Sequence, residues 1–523
     1  MKSKFTLACS LLFMFSFMLQ AQIEGDNLFA NDQIVNIELN FSQVSFWDSL
    51  TLNYETSTYM KADLILTDET GTYSFEDVGV RLKGNSSYGH PGNKKSFKID
   101  FNKYVSGQNY DGIKKLNFSN AYKDPSLVRE KIFFDISREV GVPAPRANFA
   151  SVNFNGTPWG FYTLVEQIDD QFLDWKIEDD DGNLFKAGSN FGGGPGGGGD
   201  EADLKYYGTD QASYEDLYVL KSNEDENDWS DLIELVDFID NSTAASFETQ
   251  LEDHLDVDNY IKSAALDNIF ANLDSYTNSA RNYYIYHNLT TDKWEWIKWD
   301  ANEAFGTYRG GPGLNNLLTL PIDYSADNRP LLSNMLSSPS LFAQYQQEIC
   351  AIVESYFNSG YMDSKIDGIK ALIQEAVYND NNKQYSNANF DTNLESDLTL
   401  GGGPMGGTVY GLKSFVSNRS AYLINAINCE SSNSNVLAGY QIEVFPNPSS
   451  TMLYVTVSGD LSQNHFELKV YNLSGIEVME QKQDLIKGSQ TIALDLNQLP
   501  TGIYVLRMKA ENGEIIAKRI VKE

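Results

Sequence analysis

Cysteine and histidine are scarce. Three Cys (9, 350, 429) and four His (90, 254, 287, 465) are scattered through 523 residues, with no CxxC and no HExxH. That spacing argues against a structural zinc site or a zinc protease, so any metal is expected to be a hard, oxygen-bound ion such as Mg²⁺, Mn²⁺ or Ca²⁺. Positive charge is also short: 39 Lys+Arg stand against 72 Asp+Glu, a net charge of −33. A chain this acidic does not hold nucleic acid by general electrostatics, although local cations or a metal can still hold a small phosphorylated ligand. Apolar runs long enough to span a bilayer are missing, so the mature chain is expected to have no transmembrane span. What is present rules out disorder: hydrophobic residues are 41% and aromatics 13%.

The N-terminus reads as a signal peptide over residues 1–21. Lys2 and Lys4 precede an apolar run from Phe5 to Leu19, with small or polar residues around Ala21. The run is shorter than the roughly 20 residues a membrane span needs. Cleavage removes Cys9. Cys350 and Cys429 then remain, either as a disulfide of an exported protein or as two separate buried thiols.

An α+β body is expected over 32–428, β-rich first and helix-rich later. IVNIELNF, ADLILT, VGVRLKG and KSFKIDF read as strands. Residues 126–140 read as a helix capped by Ser126 and ended by Gly141 and Pro143. Asn155–Gly156 marks a hairpin. Helices are expected across 228–273 and 340–428, with a hairpin from NYYIYHN to KWEWIKWD between them. Four Gly-rich stretches (FGGGPGGGG, GGPG, GGGP and Gly406–Gly407) read as loop insertions, because none has the strand–turn–helix frame of a phosphate cradle. A polar linker, 429–441, leads to 442–523, a small antiparallel β-sandwich with turns at Gly475, Gly502 and Asn512–Gly513.

Several segments carry groups suited to chemistry. Arg81-Leu-Lys83-Gly84-Asn85-Ser86-Ser87 runs a strand into a Gly/Asn/Ser turn, followed by Lys94-Lys95-Ser96-Phe97-Lys98. Backbone N–H groups and hydroxyls of such a turn, with an inward lysine, suit phosphate oxygens, although an ordinary hairpin with surface lysines has the same pattern. It is no Walker A loop, since His90–Pro91 follows Gly89. Glu166 ends a strand expected to be buried, where a carboxylate needs an ion-pair partner or a metal. Asp274 ends an apolar helix, Asn278 and Asn282 follow, and Asp300 ends an aromatic strand. Two carboxylates at the ends of adjacent elements with an Asn between them form an oxygen-rich set for a metal–nucleotide. Each alone also suits a cap or turn. DDDGN at 179–183 fails as an EF-hand, since Gly182 as sixth loop residue would put Ile177 first.

These residues resemble the CotH family, whose members are similar to atypical protein kinases. The resemblance rests on VGVRLKGNSS, KKSFKIDF, LVREKIFFDISREVGVPAPR, GFYTLVEQIDDQFL, GNLFKAG, NIFANLDSYTNSARNYYIY, WIKWDANEAFG and FVSNRSAYL. It implies a two-lobed kinase-like body, with a β-rich and a helix-rich lobe, holding ATP and Mg²⁺ or Mn²⁺. It implies Asp274 as catalytic base, Asp300 as metal ligand, and Asn282 or Asn278 as a second. Lys98 or Lys95 would reach the phosphates, with Arg81 and the Gly84–Ser87 turn over them; Glu166 and Lys186 fall on family positions. There is no HRD and no DFG; WDAN stands in place of the metal motif. The implied activity is phosphate transfer from ATP to Ser/Thr of extracellular proteins. The alternative is a catalytically inactive surface protein of the same fold, acting in adhesion or polymer binding; for it KWEWIKW and RNYYIY would be a ligand platform, although core packing suits these aromatic segments better. Residues 442–523 resemble the type A C-terminal sorting domain of the type IX secretion system of Bacteroidota, through VFPNPSS, VYNLSGIEV, LPTGIYVLRM and KRIVKE. That implies the secretion machinery as a partner and a secreted or outer-membrane surface location.

Overall fold

The computed structural model describes residues 23–89, 91–188, 201–308, 314, 316–401 and 407–429, then 436–437, 440–447, 449–459, 465–472, 477–484, 490–510 and 515–522. The stretch expected to be a signal peptide, the Gly-rich stretches near 192–199, 310–313 and 402–406, most of the expected linker, and the positions of the expected turns at Gly475 and Asn512–Gly513 lie outside the described residues. The chain divides into two compact units after Ala426. The body is α+β, with 12 α-helices among the described residues.

The first unit begins with α1 (Asp26–Phe29) and a seven-stranded closed barrel. Its strands are β1 (Ile34–Asn40), β2 (Met60–Asp68), β3 (Gly71–Leu82), β4 (Phe97–Asp100), β5 (Lys115–Ser119), β6 (Ala147–Phe154) and β7 (Thr157–Glu166). Around the barrel the order is β1-β2-β3-β4-β5-β7-β6. The two-residue period decides what points inward: in β2, Met60, Ala62, Leu64 and Leu66 are buried while Lys61, Asp63 and Ile65 are exposed. Asn155 and Gly156 take φ of 50° and 72°, as a tight hairpin between β6 and β7 requires. Closure itself comes from a parallel pairing of β1 with β6. Short α2 (Phe46–Leu52) leads from β1 to β2.

Helix α3 (Arg129–Glu139) starts later than expected. Ser126 is not its cap. The Asp124 carboxylate accepts the N–H groups of Ser126 (2.8 Å) and Arg129 (2.9 Å), and Leu127 has a φ of 58°. A residue in the left-handed region cannot continue a helix, so the helix begins beyond it. Ile132, Phe133, Phe134 and Ile136 are fully buried, as are Arg129 and Ser137 beside them.

After α4 (Asp170–Ile177) a second sheet forms from β8 (Leu184–Ala187), β9 (Tyr218–Leu220), β10 (Tyr283–Asn288) and β11 (Lys293–Lys298) in the order β11-β10-β8-β9. The β10–β11 hairpin matches the sequence pattern; its pairing with β8, which sets Lys186 opposite Tyr284, does not follow from local sequence. Around the sheet lie α5 (Ser230–Asn241), α6 (Ala244–His254) and α7 (Val257–Ile269), then α8 (Pro330–Ser337), α9 (Pro339–Ser355), α10 (Ser359–Asn379), α11 (Asn387–Glu395) and α12 (Leu412–Ile427). The small hairpin β12 (Leu398–Leu400) and β13 (Gly407–Val409) interrupts them. None of the described helices is long and apolar enough to cross a membrane. Cys350 and Cys429 are both disulfide-bonded.

Among its described residues the second unit has eight strands: β14 (Val436–Leu437), β15 (Tyr440–Phe445), β16 (Met452–Gly459), β17 (His465–Asn472), β18 (Glu477–Asp484), β19 (Gln490–Asp495), β20 (Gly502–Ala510) and β21 (Ile515–Lys522). They form two four-stranded sheets, β14-β15-β16-β19 and β18-β17-β20-β21. Leu453, Val455 and Val457 of one pack with Leu468, Val470, Leu506 and Met508 of the other in one core. This is the expected antiparallel sandwich.

Candidate active site

The barrel wall supplies the cations. In β3, Val80 and Leu82 fill the barrel core, which leaves Arg81, and Lys83 just past the strand, on the outer face. Register sets Lys98 of β4 opposite Arg81, and Asn117 of β5 opposite Lys98. Lys83 Nζ donates to Asn117 Oδ1 (3.1 Å) and lies 5.3 Å from the Trp299 ring centre. Lys98 Nζ donates to Gln167 Oε1 (2.6 Å).

The carboxylates come from the second sheet and its turns. Asp300 lies two residues past the end of β11, with a φ of 50°. Its charge acts on Lys83, Lys186, Glu130, Asp274 and Glu303 together. Asp274 sits in the turn after α7. Asn282 Nδ2 donates to the Asp274 carbonyl (2.8 Å) and to its Oδ2 (3.0 Å), which holds that carboxylate in place. Asn282 Oδ1 meets no donor among the described residues. Asn278, the other asparagine considered, is occupied elsewhere: its Oδ1 accepts from the Tyr324 hydroxyl (2.7 Å).

Lys83, Lys98, Lys186, Asp274, Asn282 and Asp300 all retain partial exposure, whereas Glu130 (6%) and Glu303 (5%) are buried. The cluster is thus reachable from solvent at its rim, with two acidic groups shielded behind it. Glu303 is held by Lys123, whose Nζ donates to Oε1 (3.0 Å) and Oε2 (2.9 Å), and the Asn302 amide donates to the Tyr122 carbonyl (2.9 Å). The turn around Tyr122–Lys123 is thereby clasped to the segment after Asp300.

Desolvation by the surrounding protein lowers the Lys83 pKa, against the opposite pull of Asp300 and Glu130. Desolvation, then the Lys83 charge, brings Lys186 down to about 8. Lys98 is lowered well below its ordinary value, first by desolvation and then by Lys115 and Arg81. Burial, then the Asp300 charge, raises Glu130 to about 8. Burial, then Asp274, raises Glu303 to about 7 against the pull of Lys123. Desolvation raises Asp274, opposed by a hydrogen bond with Ser279 and helped by Asp300.

A carboxyl whose folded pKa is raised binds its proton more tightly folded than unfolded. Its favourable contribution is complete below the unfolded pKa and disappears as pH rises through the folded value. For Glu130 the window runs from 4.5 to about 8. The ligand-free stability is therefore expected to fall across that window, by ~1.4 kcal/mol for each pKa unit between the unfolded and folded values, and the thermal midpoint with it. Glu130→Gln, neutral throughout, should flatten the decline. Thermal melts in a pH series check this; equal slopes in the two proteins would count against it.

Two expected residues stand apart from this cluster. Glu166 accepts from Arg146 Nε (3.1 Å), the Arg146 backbone N–H (2.9 Å) and Trp175 Nε1 (3.0 Å), so a buried ion pair satisfies it. Lys95 Nζ donates to the Tyr88 carbonyl (2.6 Å), within the turn it follows. That turn is pinned: Gly84 has a φ of 98°, its carbonyl accepts from the Tyr54 hydroxyl, and the rings of Tyr54 and Tyr88 stack. Asn85 and Ser86 are exposed there, and the Asn85 carbonyl accepts the N–H of Tyr88 (3.1 Å).

In the sequence reading Lys83 stands in the strand–turn segment without a role of its own, and Glu130, Lys123 and Glu303 have none. Strand alternation in Val-Arg-Leu-Lys already puts Lys83 on the face of Arg81. The charged triplet Arg129-Glu130-Lys131 beside an apolar run also signals buried charge in need of partners. Nothing local points Lys123 at Glu303.

Cations on a barrel wall facing carboxylates on a neighbouring sheet define a candidate phosphate- and metal-handling α+β protein. A family model described as CotH kinase protein matches residues 80–423, and the chain belongs to this family. A model described as secretion system C-terminal sorting domain matches 443–523. The chain is a type IX secretion substrate, directed to the cell surface or the extracellular space. Inner spore coat protein H of Bacillus subtilis is 26% identical over 353 residues, covering 66% of this chain and 86% of that protein. Invasin CotH3 of Rhizopus delemar is 20% identical over 382 residues, covering 68% of this chain and 60% of the invasin. Invasin CotH2 of the same organism is also 20% identical, and 61% of it is covered.

Proposed function

We propose that this chain is a kinase that transfers the γ-phosphoryl group of ATP to Ser/Thr hydroxyls of extracellular proteins. The observation that carries this is the lysine row of the barrel wall set against Asp300 and Asp274, with Lys83 interacting with Asp300 and Glu130 together. The barrel is then the upper lobe, and the helices with the second sheet form the lower lobe.

The donor set fits a metal–nucleotide better than a free metal. Among the described residues no three His, Cys, Asp or Glu side chains form a ready-made cage. Mg²⁺ is ordinarily held by one or two carboxylates plus substrate phosphates, so two protein ligands suffice. Asp300 repels Glu130, Asp274 and Glu303, Asp274 also repels Glu303, and Glu130 Oε2 is buried with no hydrogen-bond partner among the described residues. Such a set is relieved by an added cation. Asp300 and the free Oδ1 of Asn282 would hold it. When bound with ATP, the metal neutralises phosphate charge.

Asp274, oriented by Asn282, aligns the acceptor hydroxyl and takes its proton; its raised pKa makes it a stronger base than an exposed carboxylate. Lys83, Lys98 and Lys186 meet the phosphate oxygens, with Arg81 and the Gly84–Ser87 turn beside them. Glu130 orients Lys83. Against the adhesion alternative, Tyr283, Tyr284, Tyr286, Trp294 and Trp296 are buried, and Tyr283 stacks on Trp296 at 4.2 Å, so these rings form core rather than platform.

The test is incubation of the secreted chain with labelled ATP, Mg²⁺ or Mn²⁺ and extracellular protein. Labelled Ser/Thr is expected, and Lys83→Met should reduce kcat/KM about 10²–10³-fold. No labelling, together with no thermal shift by ATP and Mn²⁺, would favour the inactive alternative.

A further inference from the structure

Beneath the cluster lies a buried ion pair with no part in the chemistry above. Lys298 and Asp267 are 2% and 3% exposed, with Nζ 2.8 Å from Oδ2. Lys298 Nζ also donates to the Ser263 carbonyl (2.9 Å) on α7. The other oxygen, Asp267 Oδ1, accepts from Asn272 Nδ2 (3.0 Å), and the Asn272 backbone N–H donates to the Asp267 carbonyl (2.8 Å). Lys298 stands two residues before Asp300, and Asn272 two residues before Asp274. The pair therefore joins the two chain segments that carry the two central carboxylates.

A third arm reaches α3. The Lys298 backbone N–H donates to the Pro143 carbonyl (2.9 Å), just past that helix, and its Nζ lies 5.8 Å from the Phe133 ring centre. Phe133 is on the helix that carries Glu130. One lysine thus contacts all three elements whose acidic groups act on one another in the cluster.

We propose that Lys298, Asp267 and Asn272 form a positioning brace that sets the separation of Asp274 from Asp300 for metal–nucleotide binding; this rests on the kinase reading. Like-charged groups repel, so their spacing must be imposed by something stiffer than their own contacts. A buried ion pair hydrogen-bonded on both sides is stiff, because either partner alone would be an uncompensated buried charge. Outer partners of ligand-bearing segments typically tune metal affinity by about 10–100-fold.

The test uses the full chain and Lys298→Met/Asp267→Asn. Removing both charges avoids leaving either one buried alone, and Asn at 267 can still accept from Asn272, so the fold survives while the link is cut. The probes are Mn²⁺ with ATP. Hydrogen exchange of the ligand-free protein is followed in peptides covering 270–275 and 296–301. Faster exchange is expected in both peptides together, with unchanged exchange in the second unit. The apparent affinity for Mn²⁺–ATP should fall about tenfold or more, with the thermal midpoint near that of wild type. Wild-type exchange in either peptide overturns the brace, as does loosened exchange with unchanged Mn²⁺–ATP affinity. A wild-type chain that binds no Mn²⁺–ATP overturns the kinase reading first, and shows this before any variant is made.

Discussion

Asp274→Asn is expected to lower phosphoryl transfer about 10²–10⁴-fold while Mn²⁺-dependent ATP binding stays within a few-fold of wild type. The substitution keeps the shape and an acceptor for the Asn282 amide, which donates to Asp274 at 3.0 Å. What it removes is a basic oxygen. Desolvation raises the Asp274 pKa, and Asp300 adds to this while the Ser279 hydrogen bond opposes it. The wild-type rate should therefore rise with pH through a carboxylate titration above the ordinary Asp range, and the variant should lack that limb. Single-turnover transfer and equilibrium nucleotide binding, measured on the same preparation, separate the two properties. Equal loss of both would place Asp274 among the metal ligands and take the base role from it.

Asp300→Ala should have the opposite signature. It removes the one charge that acts on Lys83, Lys186, Glu130, Asp274 and Glu303 alike. Stabilisation by ATP with Mn²⁺, about 2.7 kcal/mol at a hundredfold excess over Kd, should vanish, and transfer with it. The ligand-free protein should stay folded, because Asp300 is partly exposed at the end of a strand and carries none of the core. Thermal melts with and without ligand read this directly. A full ligand-induced shift in the variant would remove Asp300 from the metal site.

The cluster was legible in part. Asp274 and Asp300 were expected to end a helix and a strand, and the structure puts them in the turns just beyond α7 and β11; each is a short polar residue after an apolar run, and with Asn282, just before β10, the structure brings the three together. Glu130 and Glu303 were not legible, since a charged residue on a helix or in a turn is ordinarily solvated and sequence does not name its partner. Glu166 shows the limit from the other side. Burial of its carboxylate was expected, and a buried carboxylate needs a counter-charge, but the identity of that charge, Arg146 rather than a lysine or a metal, depends on a contact across the β6–β7 pair.

By itself the sequence determined the features whose causes lie within a few residues: the alternating strands, the Asn155–Gly156 turn, the apolar helix faces and the sandwich pattern of the C-terminal unit. Backbone geometry and side-chain period act locally, so they are written locally. Tertiary structure alone decided that β1 would meet β6 to close the barrel, that β8 and β9 would extend the second sheet, and that Lys123 would cross 180 positions to Glu303. Those outcomes follow from which buried charges and strand edges can satisfy one another once the whole chain is packed, and no window of sequence contains both partners.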